Sequence, residues 1–180
     1  MKKAVTILIL IFSFTFISCG SEKSKSDDGE ISSVNSAEKT DLQNFLAHYH
    51  HLKDALVKSD GAEAAKGAEA MLKVLPKINI KSEEHAAHVE QILAEIKDDL
   101  EHISSTQAVS HQRDHFKTLS DNVYELLKIN GSIGETLYRQ YCPMAFDNQG
   151  AYWLSSEEEI RNPYFGDKML KCGSVEETLN

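Results

Sequence analysis

Residues 40–61 read TDLQNFLAHYHHLKDALVKSDG, and the spacing inside this stretch decides the architecture. Leu42, Phe45, Leu46, Tyr49, Leu52 and Leu56 recur three and four apart, which makes one apolar stripe on a helix. Thr40 or Asp41 can cap its start, and Ser59-Asp60-Gly61 ends it. The same period continues downstream. An alanine-rich helix carries Ala64, Ala68, Met71, Leu72 and Leu75 inward and stops at Pro76. Its small residues predict close approach to a neighbouring helix.

A third helix opens at Ser82-Glu83-Glu84, with Ser82 as cap and the two acids suiting the helix dipole. Its stripe is Val89, Ile92, Ile96, Leu100 and Ile103, and it breaks at Ser104-Ser105-Thr106. A fourth runs from about 107 to 127, with Val109, Phe116, Leu119, Val123 and Leu126 inward, and Asn130-Gly131 is a turn signal. Short links make sequential helices antiparallel neighbours. The predicted fold class is all-α: an up-down four-helix bundle. The last 50 residues change character, holding the single tryptophan and four of the six tyrosines. They predict an irregular aromatic C-terminal cap carrying Cys and Met. Within it we expect a short fifth helix over 134–140 and a small hairpin near 150–154.

The N-terminus is a targeting segment. Lys2 and Lys3 precede an apolar run from Ala4 to Ile17, too short and too early for a structural membrane span. Phe16-Ile17-Ser18-Cys19-Gly20 resembles the lipobox of bacterial lipoproteins, with Phe16 where leucine is usual. The resemblance implies a signal over 1–18, lipidation at Cys19 and a mature chain beginning there. The polar stretch 19–37 lacks the apolar surface to offset its ordering entropy and reads as a tether. The remaining 38–176 forms one helical domain. The expected location is exported and lipid-anchored to a bacterial membrane, on its periplasmic or cell-surface face. The formal net charge of −9 becomes more negative once the leader is lost. That balance argues against nucleic acid, whose phosphates need clustered Lys and Arg.

Chemistry concentrates in two sets of residues. Cys142 and Met144 form one arm, Met169 and Cys172 another, separated by Trp153 and the turn segment Asn162-Pro163-Tyr164-Phe165-Gly166. Thiolate and thioether select Cu(I) and similar soft ions, here copper(I) or silver(I). In that reading Cys142 and Cys172 are thiolates, Met144 and Met169 are weaker ligands that permit release, and Trp153 and Tyr164 shield the ion. A Cys142–Cys172 disulfide beside packed methionines stays open as the alternative, since export favours oxidation.

The second set is histidine. All eight histidines lie between residues 48 and 115. His48 and His51, His85 and His88, and His111 and His115 each share a helix face. Antiparallel packing brings His102 toward His111 and His115, so a secondary imidazole site is drawn from His51, His102, His111 and His115. Boundary histidines that merely pack and hydrogen-bond are the plainer reading of each pair. Arg113 is placed to pin the cap. No phosphate loop, nucleophile–base pair or paired-carboxylate setting is evident, so no enzyme is expected.

The stretches Tyr141-Cys-Pro-Met-Ala-Phe, Trp153-Leu-Ser-Ser and Ile160-Arg-Asn-Pro-Tyr-Phe-Gly-Asp-Lys-Met-Leu-Lys-Cys-Gly173 carry a resemblance. They look like the C-terminal signature of a bacterial domain family of unknown function. That family comprises exported helical proteins, also found joined to membrane-fusion adaptors of Cus-type copper/silver efflux systems. Tyr49, Lys53 to Val57, and Gln112 to Phe116 match its helical part, so the likeness covers about residues 40–175. The resemblance implies Cys142, Met144, Met169 and Cys172 as soft-metal positions and an efflux membrane-fusion adaptor as a partner. Tyr-Cys-Pro-Met also resembles the heavy-metal motif of copper-transport proteins, although Ala145-Phe146 stands where that motif has His-Pro. The function this implies is an extracytoplasmic lipoprotein that binds Cu(I) or Ag(I), for buffering or hand-over to the adaptor. The rival is a structural or interaction module whose cap is locked by the disulfide.

Overall fold

Helix α1, Asp41–Val57, begins with a reciprocal cap in the computed structural model, which describes residues 39–80, 82–131 and 134–180. The expected signal over 1–18, the expected lipidation at Cys19 and the expected tether over 19–37 lie outside the described residues. Gln43 N–H donates to Thr40 Oγ1 at 3.2 Å, and Thr40 N–H donates to Gln43 Oε1 at 3.0 Å. Phe45, Leu46, Tyr49, Leu52 and Leu56 are fully buried, as the stripe requires.

Asp60 caps α2, Gly61–Val74, by accepting from Glu63 N–H at 3.0 Å. Gly67 sits where a Cβ would come within 3.0 Å of Leu52 Cα, so α1 and α2 touch backbone to backbone. Pro76 falls in a 3₁₀ turn, Leu75–Lys77. Helix α3 is Ala86–Ser104, and Ser82 caps the turn before it by accepting from His85 N–H. Helix α4 is Val109–Asn130, ended by Gly131 at φ +82°. Its first turn has no side-chain cap. Gln112 Nε2 instead reaches the carbonyls of Gly61, Ile103 and Thr106 at 2.9, 3.2 and 2.7 Å, tying three element ends together. Helix α1 packs on α2, α2 on α3 and α3 on α4. Among the described residues no helix is long and apolar enough to cross a membrane.

The all-α expectation is overturned beyond residue 136. The C-terminal region holds a three-stranded antiparallel sheet: β1 Leu137–Cys142, β2 Ala151–Ser155 and β3 Ser174–Leu179, in the order β2-β1-β3. The short helix expected over 134–140 is therefore strand β1. Leu137, Tyr138 and Tyr141 have helical spacing, but that segment is flanked by two partners that need its backbone groups. A register shift between Arg139 and Gln140 on the β3 side also blurs the period-two alternation that would have marked a strand. The hairpin expected near 150–154 is half right in place. Ala151–Ser155 is one strand, and its partner is β1.

The sheet is fastened to the helices at several points. Tyr49 Oη accepts from Leu154 N–H at 3.1 Å and shares a 2.7 Å hydrogen bond with Ser120 Oγ, linking α1, α4 and the free edge of β2. Burial keeps that phenol protonated far into the alkaline range. The Arg139 guanidinium lies between the rings of Tyr124 and Tyr152, 3.9 and 3.7 Å from their centroids.

Candidate functional site

Strand pairing brings the two domain cysteines together. Tyr141 pairs with Ser174 across β1 and β3, so the residue after Tyr141 meets the segment entering β3. Cys142 Sγ and Cys172 Sγ stand 3.1 Å apart, both as free thiols. Cys142 is wholly buried and Cys172 half-buried. Hydrogen bonding to Cys142, burial, and the charge of a Cys142 thiolate, in that order, push the Cys172 thiol up.

Asn162 shapes the arm that delivers Cys172. Its Nδ2 donates to Cys172 O at 2.8 Å, and its Oδ1 accepts from Tyr164 N–H and Phe165 N–H at 2.8 and 3.3 Å. Gly173 follows at φ +145°, where a Cβ would lie 2.7 Å from Tyr141 O and 2.9 Å from the Trp153 ring. Only glycine fits there. Arg113 pins the base of the arm, as the sequence suggested. Its Nε donates to Pro163 O at 2.7 Å, and one terminal nitrogen reaches Leu56 O at 2.9 Å and Ser59 Oγ at 3.0 Å.

Of the four sulfur residues, the fold draws the two thiols into contact. Met144 is exposed (47 %) in the turn after β1, and Met169 is half-buried after the 3₁₀ turn Gly166–Lys168. Trp153 and Tyr164 form an aromatic wall with their rings edge-on at 5.9 Å, and Tyr164 Oη donates to Tyr152 O.

A second group forms where the short link between α3 and α4 returns the chain on itself. One ligating atom from each of His102, His111 and His115 lies within 4.8 Å of the others. His102 and His115 stack with centroids 4.3 Å apart, and His111 meets His115 edge-on at 4.7 Å. His51 does not join them; it sits on α1 against Glu63 at 3.0 Å. His88 likewise pairs with Glu125 at 2.7 Å.

Sequence reading missed Asp99, a buried carboxylate between apolar positions of α3. Its Oδ1 accepts from His115 Nδ1 at 2.9 Å and from Thr118 Oγ1 at 2.8 Å. Burial raises its carboxyl, and these two donors oppose that. An acid inside the Ile96–Leu100–Ile103 stripe was the available signal.

His50 was also missed. Both its ring nitrogens are shut from solvent with no partner among the described residues. Burial first, then Lys53, lowers it from 6.5 to about 4. The unfolded chain therefore binds a proton that the folded one refuses. The His50 contribution is fully present above pH ~6.5 and is lost as pH falls toward ~4, up to about 3 kcal/mol. We expect urea midpoints at pH 7 and pH 4.5 to converge in His50→Gln relative to wild type. An unchanged pH slope in the variant would refute this.

The chain is thus a helical domain closed by a small antiparallel sheet, with a dithiol in the sheet region and an imidazole cluster on the helices. Residues 45–134, half of the chain, match the model of a family described as protein of unknown function (DUF3347), and the chain belongs to that family. The match lies on the helices and ends before β1. No curated protein and no solved structure gives a significant match.

Proposed function

We propose that this is an exported, lipid-anchored protein, not an enzyme, that binds Cu(I) or Ag(I) through Cys142 and Cys172 and buffers the ion or passes it to an efflux adaptor. The observation that carries the reading is the pair of free thiols 3.1 Å apart, one buried and one half-exposed. Thiolates select soft ions, and binding displaces their protons. With metal–sulfur bonds of about 2.3 Å, an ion between two thiolates needs the sulfurs roughly 4 Å apart or more. The pair must open by about an ångström, which rotation of the half-exposed Cys172 side chain can supply while the backbone of its arm stays tied. Met144, at the surface beside Cys142, supplies a weak third ligand for exchange with a recipient. The lipid anchor rests on the sequence around Cys19, and the adaptor partner on the family resemblance of the C-terminal segment.

A Cu(I) competition titration on reduced full chain carrying Cys19→Ser tests the site. Adding Cys142→Ser is expected to weaken binding at least a hundredfold, about 2.7 kcal/mol. Equal affinities would remove the reading. The 3.1 Å approach also favours a second reading, a disulfide lock on the sheet. Closing a loop of this length stabilises by roughly 3–4 kcal/mol on the chain-entropy model. Counting free thiols in protein purified without reductant separates the two: a pair of thiols supports metal binding, and none supports the lock.

A further inference from the structure

We propose that His102, His111 and His115 form a second metal site, nitrogen-only and specific for a divalent ion of the imidazole-preferring class, Zn(II) or Cu(II). It stands independently of the thiol pair and does not rest on the soft-metal reading. The three imidazoles come from the last turn of α3 and the first two turns of α4. A link of four residues, Ser105 to Ala108, holds those turns together. That link is tied down: Ser105 Oγ donates to His102 O at 2.8 Å, and Ala108 N–H donates to Thr106 Oγ1 at 3.1 Å.

Clustered surface imidazoles alone would be weak grounds. Asp99 strengthens them. Its Oδ1 lies 2.9 Å from His115 Nδ1, so that nitrogen is turned to the carboxylate and Nε2 is the one left to face an ion. A buried carboxylate behind a ligating histidine is the usual second layer of a metal site, fixing tautomer and ring orientation. Thr118 in turn orients Asp99. The Asp98 carboxylate, 4.0 Å from His102 Nε2, adds negative charge on the solvent side. A tetrahedral ion with bonds of about 2.1 Å wants nitrogens roughly 3.4 Å apart. The observed spread of up to 4.8 Å closes by rotating the exposed rings of His102 and His111. Three protein nitrogens leave one position open, so the bound ion stays accessible to exchange.

The experiment is calorimetric titration of full-length protein with Zn(II) and with Cu(II) under non-reducing conditions. Each variant's metal-free melting temperature is recorded to confirm folding. The Cys142→Ser/Cys172→Ser double variant is expected to keep one divalent ion per chain. His102→Ala, an exposed position, should weaken that binding at least thirtyfold. Asp99→Asn should weaken it about tenfold to a hundredfold while leaving the stoichiometry at one. With Cu(II), the electron paramagnetic resonance of wild type should show coupling to imidazole nitrogen. Unchanged affinity in folded His102→Ala, or loss of the divalent ion in the double cysteine variant, would overturn the proposal. The second outcome leaves the soft-metal reading standing, and a failed Cu(I) titration leaves this one standing.

Discussion

Trp153→Ala is expected to cost about 3–5 kcal/mol, the largest single effect in the domain. Trp153 is fully buried on β2, packed against Tyr164 and Gly173 of the segment that leads to β3. Its ring edge meets Tyr164, and its far carbon lies 2.9 Å from where a Cβ on Gly173 would sit. Truncation leaves a cavity that rigid neighbours on both sides cannot fill. Its indole N–H has no acceptor among the described residues, so Trp153→Phe removes a desolvation penalty as well as volume and should cost far less. Urea unfolding followed by circular dichroism measures both. Because Gly173 adjoins Cys172, thiol reactivity in the alanine variant should rise with the destabilisation. A cost below ~1 kcal/mol for Trp153→Ala would show that the sheet is not packed as described.

Arg113→Met comes next, at about 2–4 kcal/mol. Methionine keeps most of the aliphatic stem and deletes the donors, so the loss reports the hydrogen bonds. Three acceptors from two distant segments converge on one guanidinium: Leu56 O and Ser59 Oγ from the α1–α2 junction, and Pro163 O from the arm before Cys172. Burial disfavours the charge somewhat, yet the planar fork satisfies all three acceptors at once. Arg113→Lys should not rescue, because an ammonium is a point donor without that fork. Amide exchange over 162–168 should accelerate in both variants while α3 stays protected. Equal exchange in wild type and Arg113→Met would mean the arm is held by Asn162 alone.

The helices were legible because their signal is local. The residues read as the α3 stripe, Val89, Ile92, Ile96, Leu100 and Ile103, are all buried, and α3 adds Asp99 to them. Thr40, one of two candidate caps, is the cap of α1. The sheet was not legible for two reasons. Strand β1 carries a helical spacing and a broken alternation, and β3, Ser-Val-Glu-Glu-Thr-Leu, is an edge strand with a polar outer face. Each becomes a strand only because the other is there to take its hydrogen bonds, and a linear pattern does not record that.

For the sites the division is similar. Residue types and spacing alone nominated the sulfur arms and the histidine pairs, since ligand chemistry belongs to the side chain and helical spacing fixes which side chains share a face. Contact between positions 142 and 172 depended on strand register and on the Asn162 bonds that turn the chain back. The approach of His102 to His111 and His115 followed from the short link between two antiparallel helices, which the sequence shows, whereas the buried carboxylate behind them depended on how those helices pack. The thiol contact and that buried carboxylate are long-range choices, settled by which backbone and carboxylate groups must find partners once water is excluded.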